Sequence, residues 1–377
     1  MAAAPPTPQP PPAAAAVAAA VLFLLPSLLS ASPGDLLLPS TSTSTLERWI
    51  SNNLEDYHLQ AAGNIPGDLD PKLLQAELNP RVITVRQDGK GDFRTVSGAI
   101  ASIPAGNQRR TVIRIGPGVY KEKVKLDLTK PYVTFSGDAN AMPTITFGGR
   151  AAQYGTLDSA TVIVESNYFI ASNIIFHNSA KRPVLGEEGA QAVAMRISGD
   201  KAAFYGCRFL GYQDTLCDDK GKHLFKDCFI QGTVDFIFGN GRSIYLRCEI
   251  NSVADGITYI TAQARSMVAE DGGFAFVHCK VTGTGNAYLS RAWKDSSRVV
   301  FAYTFMGSLV QPKGWDDKGF PNRRGSVFYG EYKCMGPGAA TGERVDYVKL
   351  LTDEQVKPFV SMTFIRPNTW LLPQPKL

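Results

Sequence analysis

Two aspartates 21 residues apart sit in unlike company. Asp214 follows Gln213 in Gly-Tyr-Gln-Asp-Thr-Leu (211–216), a polar stretch, whereas Asp235 lies inside Val-Asp-Phe-Ile-Phe (234–238). An ionised carboxylate is costly to bury there without a partner. Gln191 precedes Gln213 by 22 residues. Carboxylates held side by side resist ionising together, and unequal surroundings push their pKa values apart. One can then keep its proton for a leaving group while the other acts as nucleophile or base, and neutral amides suit an oxyanion developing on a carbonyl. A buried Asp235 also calls for a cation. Arg291 in Tyr-Leu-Ser-Arg-Ala-Trp (288–293) is the candidate, and Trp293, two residues on, offers an indole face to a sugar. Scattered over a surface, such Asp and Gln side chains would only close turns; stacked, they form a catalytic patch.

Stacking requires coils of about that length, and the second half of the chain repeats accordingly. A core residue, any residue, a large apolar residue and then usually Gly, Asn or Ser recur as Ile174-Ile-Phe176-His-Asn178, Cys207-Arg-Phe209-Leu-Gly211 and Cys228-Phe-Ile230-Gln-Gly232. They continue as Cys248-Glu-Ile250-Asn-Ser252, Cys279-Lys-Val281-Thr-Gly283 and Tyr303-Thr-Phe305-Met-Gly307. The steps are 33, 21, 20, 31 and 24 residues, as in a solenoid whose loops vary in length. Period-two alternation and frequent β-branched residues make the unit a short strand. A right-handed parallel β-helix is therefore expected, with a Gly/Asn-rich sandwich as the alternative. The same register puts Gln191, Gln213, Asp214 and Asp235 on one lateral surface. Asp-Phe-Arg-Thr-Val-Ser-Gly-Ala-Ile-Ala-Ser-Ile-Pro (92–104) predicts a short N-terminal capping helix. Thr352 and Gln355, in capping-box spacing, predict another that covers the far end.

Four of the six cysteines, Cys207, Cys228, Cys248 and Cys279, share one slot of the repeat. They predict an inward ladder of small buried side chains at the ~4.8 Å strand spacing, with a disulfide between neighbours left open. No C-x-x-C pair is present and His58, His177, His223 and His278 do not cluster with the cysteines, so neither a metal site nor a cofactor is expected. Asp218 and Asp219 in Cys-Asp-Asp-Lys (217–220) are a weak calcium candidate. The absence of G-x-S-x-G disfavours an α/β-hydrolase esterase, and Asp-Gly-Lys-Gly-Asp-Phe (88–93) lacks the ending of a phosphate loop.

The 377 residues, 44% hydrophobic and 19% charged, have an ordinary globular balance. The net charge of +5 comes from scattered basic residues, which favours acidic partners over nucleic acid. Residues 1–31 carry no charge and hold an apolar run ending in small residues near Ser30 and Ala31. This predicts a secretory signal peptide, with a membrane anchor or plastid address as alternatives. Residues 32–80 are expected to be a linker with an amphipathic helix around residues 45–59, and 81–372 to be the β-helix domain. No N-glycosylation sequon occurs.

Several of these stretches together resemble the plant pectinesterases (pectin methylesterases, carbohydrate esterase family 8). Gly-Val-Tyr-Lys-Glu (118–122), Gln-Ala-Val-Ala-Met-Arg (191–196), Gly-Tyr-Gln-Asp-Thr-Leu (211–216), Gly-Thr-Val-Asp-Phe-Ile-Phe-Gly-Asn (232–240) and Tyr-Leu-Ser-Arg-Ala-Trp (288–293) match that family's signatures in order. The resemblance runs from about Val82 to about Trp370. It implies a right-handed parallel β-helix, Asp235 as nucleophile on the methyl-ester carbonyl of galacturonate, and Asp214 as the acid and then the base. It further implies Gln191 and Gln213 near the oxyanion, Arg291 holding the nucleophile, and Thr161, Gln191, Arg291 and Trp293 as substrate contacts. The implied partner is methyl-esterified pectin, a proteinaceous pectinesterase inhibitor is a candidate partner, and a secreted, cell-wall monomer is expected. Two departures stand out. The family's Leu-Gly-Arg-Pro-Trp is here Leu289-Ser-Arg-Ala-Trp293, so strain at Ser290 and a looser Arg291 are expected. The four-helix inhibitor-like pro-region has no room in residues 32–80, which resembles the short class. Other polygalacturonate-acting β-helix enzymes and a non-catalytic pectin binder are the competing functions.

Overall fold

The computed structural model describes residues 69–184 and 186–372. The signal peptide expected over 1–31 and the helix expected around 45–59 lie outside them. Among the described residues, no helix is long and apolar enough to cross a membrane.

The strands stack in parallel on three faces, giving a right-handed parallel β-helix. The first face has eleven strands, from Arg81–Val85 to Lys349–Leu350. The second begins at Val119–Lys121 and Thr144–Phe147, and the third at Val124–Leu126 and Val162–Val164. Two long strands, Glu249–Gln263 and Lys280–Arg291, run through the second and third faces and join them, with a register shift between Val253 and Ile257.

Parallel stacking repeats one side-chain type at one height. Phe204, Phe225, Tyr245, Phe276 and Phe301 pair in register, and their rings stack inside the coil with centroids 4.7, 4.7, 4.5 and 4.5 Å apart. Beside them runs the cysteine ladder. Cys207, Cys228, Cys248 and Cys279 are buried and free, their thiols directed at strand carbonyls such as Phe225 O (3.3 Å from Cys248). The ladder continues through Thr304 and Cys334, which make the corresponding contacts to Phe276 O and Phe301 O. The last repeat unit is therefore shifted by one residue from the sequence expectation. Val281 pairs with Met306, not Phe305, and Phe305 is exposed. Tyr303 occupies the corner before the slot, where Asp227, Arg247 and His278 also turn with φ of 52–56°. An aromatic in that left-handed corner imitates a core position in the pattern.

The predicted cap forms at Val96–Ala101, where Thr95 Oγ1 accepts from Gly98 N (3.1 Å) and Val96, Ala99 and Ile100 join the interior core. The second predicted helix forms at Asp353–Val360 with its capping box. It does not cover the end of the stack. Val356, Phe359 and Val360, with Met362, Phe364 and Ile365, pack with Ala203, Leu224, Ile244, Ala275 and Val300, the outward column of the first face. Hence both sides of that face are apolar, as in a sheet covered on both surfaces. Within the stretch expected to be linker, Pro71–Glu77 is a helix capped by Asp70, whose Leu73 and Ala76 join the same outer cluster.

Candidate active site

Gln191, Gln213 with Asp214, and Asp235 each precede a third-face strand, Met195–Ile197, Leu216–Asp218 and Ile237–Gly239. Successive coils are laced there by Ala192 N donating to Gln213 O (3.1 Å), Asp214 N to Val234 O (3.0 Å) and Asp235 N to Tyr259 O (2.8 Å). Both aspartates turn with positive φ, 62° at Asp214 and 52° at Asp235. That region costs most residues about 1–2 kcal/mol and is tolerated best by Gly, Asn and Asp. The bend directs both carboxylates to the outer surface of the third face. They line a cavity of about 280 Å3 together with Gln191, Gln213, Arg291 and Trp293.

The cation that Asp235 requires is Arg291. Its Nε donates to Asp235 Oδ1 at 2.6 Å and its Nη2 to Oδ2, a bidentate fork between two buried side chains. Burial works against the Arg291 charge, but Asp235 outweighs it and holds the guanidinium above its ordinary pKa. The guanidinium lies 4.6 Å from the centre of the half-exposed Trp293 ring and 5.6 Å from that of Tyr259. Among the described residues Asp214 has no such ion pair. Burial, and after it the neighbouring Asp235, raise its pKa well above the usual carboxylate value, with Arg291 opposing. The two acids are therefore set apart by their partners: Asp235 is forked by the guanidinium, and Asp214 is biased to keep a proton. The side-chain amides of Gln191 and Gln213 make no hydrogen bond within the described residues and face the same space, free to donate to a ligand oxygen.

Thr161 is not brought to this cavity. It is fully buried, and its hydroxyl donates to His177 O (2.9 Å), with Phe147 O at 3.3 Å. Thr156 and Leu157 line the cavity instead, with Phe238 and Ala262. Phe238 was visible within the Asp-Phe-Ile-Phe stretch, whereas Ala262 and the 156–157 turn carried no chemical signal. The expected strain at Ser290 is absent too: neither Ser290 nor Ala292 has a positive φ, and both are wholly buried. Ser290 pairs with Trp315, and Ala292 N donates to Asp316 O (2.9 Å), so the strand runs to Arg291 and its hydrogen-bond ladder reaches Ala292 without a glycine or a proline. Asp218 is not offered to a metal ion. It is fully buried, its Oδ1 2.5 Å from His223 Nδ1 and its Oδ2 accepting from Tyr245 OH (2.7 Å).

Comparison with known proteins gives the family and the fold. The family model described as Pectinesterase matches residues 82–368. Putative pectinesterase 63 of Arabidopsis thaliana is 56% identical over 292 residues, covering 77% of this chain and 86% of that protein. Pectinesterase 2 of Olea europaea is 47% identical over 354 residues, covering 93% and 94%. The solved pectin methylesterase from carrot superposes with a TM-score of 0.72 at 33% identity, covering 79% of this chain and 98% of the carrot chain.

Proposed function

The chain belongs to the pectinesterase family, and on that premise we propose how its cavity divides the labour of ester hydrolysis. The enzyme hydrolyses methyl esters of galacturonate units in pectin, releasing methanol and leaving acidic pectin. The observation that carries the assignment of roles is the inequality of the two acids, one forked by Arg291 and one buried with no direct ion pair among the described residues.

Asp235, oriented by the Arg291 fork, attacks the ester carbonyl carbon through one carboxylate oxygen. The carbonyl electrons move onto oxygen, and the amide N–H groups of Gln191 and Gln213 stabilise that oxyanion. When the tetrahedral adduct collapses, the bond to methoxide breaks and Asp214 delivers its proton, so methanol leaves. The remaining acyl–Asp235 anhydride is attacked by a water whose proton passes to Asp214, now the base. The second collapse frees the galacturonate carboxyl, restores the Asp235 carboxylate and leaves Asp214 protonated again. Arg291 keeps the nucleophile aimed, and Trp293 presents its exposed ring to a sugar. Thr161 enters this scheme only as a support beneath the cavity.

The mild basic excess suits a polyanionic product. The charge-free apolar run in residues 1–31 supports secretion to the cell wall, and the family leaves a proteinaceous inhibitor as a partner to test against the monomeric enzyme. Methanol release from methyl-esterified pectin, with and without EDTA, tests the reading as a whole. Release that EDTA does not affect is expected. Loss of pectin viscosity without methanol would point to a chain-cleaving enzyme, and binding without either to a non-catalytic protein.

A further inference from the structure

Arg291 and Asp235 are two coils apart, not on neighbouring coils. Phe238 pairs with Ala262, Thr261 with Ser290, and Arg291 with Asp316, so Phe238, Ala262, Arg291 and Asp316 occupy one column of the third face. Asp235 and Tyr259 stand in the column beside it, joined through Asp235 N and Tyr259 O, and Tyr259 pairs onward with Tyr288. Arg291 therefore reaches back over the Ala262 coil to meet Asp235. Tyr259 reaches forward over the Arg291 coil, and its hydroxyl donates to Asp316 Oδ2 at 2.7 Å. The two long side chains cross, with the guanidinium 5.6 Å from the centre of the Tyr259 ring.

This crossing settles a competition. Asp316 is the strand partner of Arg291 and projects from the same face about one strand spacing away. A carboxylate so close is a rival for the guanidinium that Asp235 needs. Instead its Oδ2 is taken by Tyr259 and its Oδ1 by the backbone N of Lys318 (2.9 Å). The geometry points to Tyr259 as a positioning residue that sequesters Asp316 and so leaves Arg291 to Asp235. Its ring also backs the guanidinium, stacked on Tyr288 with centroids 5.4 Å apart. The ionisable groups around Asp235 are Asp214, Arg291 and Tyr259; those around Asp316 are its strand partner Arg291, Tyr259, Lys318 and Tyr288, with Tyr329 and Tyr347 further off. The inference rests on Asp235 being the nucleophile, which the Asp235→Asn assay tests separately.

Tyr259→Phe keeps the ring and removes only the hydroxyl. With methyl-esterified pectin as substrate, it should lower kcat about tenfold with little change in KM, because the nucleophile is misaimed. Tyr259→Phe/Asp316→Asn removes the rival and should recover most of the lost kcat. A merely structural tyrosine would leave the double variant no better than the single one. Wild-type kcat in Tyr259→Phe, or no recovery in the double variant, overturns the proposal. Should the phenylalanine variant fail to fold, Asp316→Asn alone decides. Activity within about twofold of the parent is expected, and a tenfold loss would mean that Asp316 supports Arg291 instead of competing for it.

Discussion

Replacing Ser290-Arg-Ala292 by the Gly-Arg-Pro of related sequences looks like a repair, yet the structure predicts damage. Ala292 is wholly buried and its N–H donates to Asp316 O at 2.9 Å. Proline deletes that donor, losing about 1 kcal/mol net, and up to about 3 if the carbonyl is left unpaired. The ring must also fit where a methyl group now packs, a further ~1–3 kcal/mol of overpacking. Against this stands about 0.4–1 kcal/mol from a stiffer unfolded chain. Ser290→Gly relieves no strain, since Ser290 does not turn with positive φ, and it gives up a contact of 3.3 Å from Oγ to Thr261 O. Glycine in a strand adds roughly 0.5–1 kcal/mol of backbone entropy. The double variant should be less stable by about 3–5 kcal/mol, which at ~2 °C per kcal/mol lowers Tm by roughly 6–10 °C. Arg291 lies between the two changes, so kcat/KM for methanol release should fall with it. Calorimetry and a methanol assay on parent and double variant decide the matter. A raised Tm with raised kcat/KM would refute the reasoning, because it would show that the Ala292 N–H contributes nothing and that the Gly-Pro loop suits this backbone.

Asp235→Asn should reduce methanol release by ~10³-fold or more with the fold retained, as expected for loss of a covalent nucleophile, and should lower Tm because the buried guanidinium of Arg291 loses its anion; a tenth of parent activity would exclude that role. Gln213→Ala should lower kcat by about 10²-fold with a smaller effect on KM, whereas a pure KM effect would make it an ordinary substrate contact. Because burial and Asp235 raise the Asp214 pKa, kcat/KM should decline on the alkaline side as Asp214 loses its proton. The favourable contribution of Asp214 to stability is complete below the unfolded carboxylate pKa of ~3.9 and is lost as pH rises through the higher folded value. Asp214→Asn should flatten that decline in a stability–pH series. Thr161→Val should leave KM unchanged and cost about 1–2 kcal/mol by denaturant titration, since its hydroxyl serves the backbone; a raised KM would return it to the substrate contacts.

The stack was legible because parallel coils force one residue type into one slot, and cysteine, phenylalanine and isoleucine are visible at such slots. Where the slot changes residue type, legibility fails. Thr304 replaces cysteine while Tyr303 turns the corner before it, and an aromatic at a corner looks like core. The C-terminal helix was visible from its capping box, but its place was not. Only the outward column Ala203, Leu224, Ile244, Ala275 and Val300 shows that the first face needs cover, and alternation alone cannot tell which column faces in.

For the site, the 21-residue coil was enough to bring Asp214 and Asp235 together, because neighbouring coils place residues one period apart at one height. Periodicity cannot say how far a long side chain travels along the stack. Arg291 is 56 residues from Asp235 and passes over a whole coil to reach it, which a chemical demand for a cation anticipated but no spacing rule contained. Tyr259 and Asp316, 57 residues apart, make the opposite passage, and nothing demanded it, since a tyrosine and an aspartate are content in water. Thr161 failed for a related reason: a side chain at the start of a third-face strand is outward or inward by one residue of register, and inward is where it finds carbonyls to satisfy. What a sequence discloses of such a site is thus the charges that burial makes costly. The neutral hydrogen bonds that steer those charges become visible only when the coils are stacked.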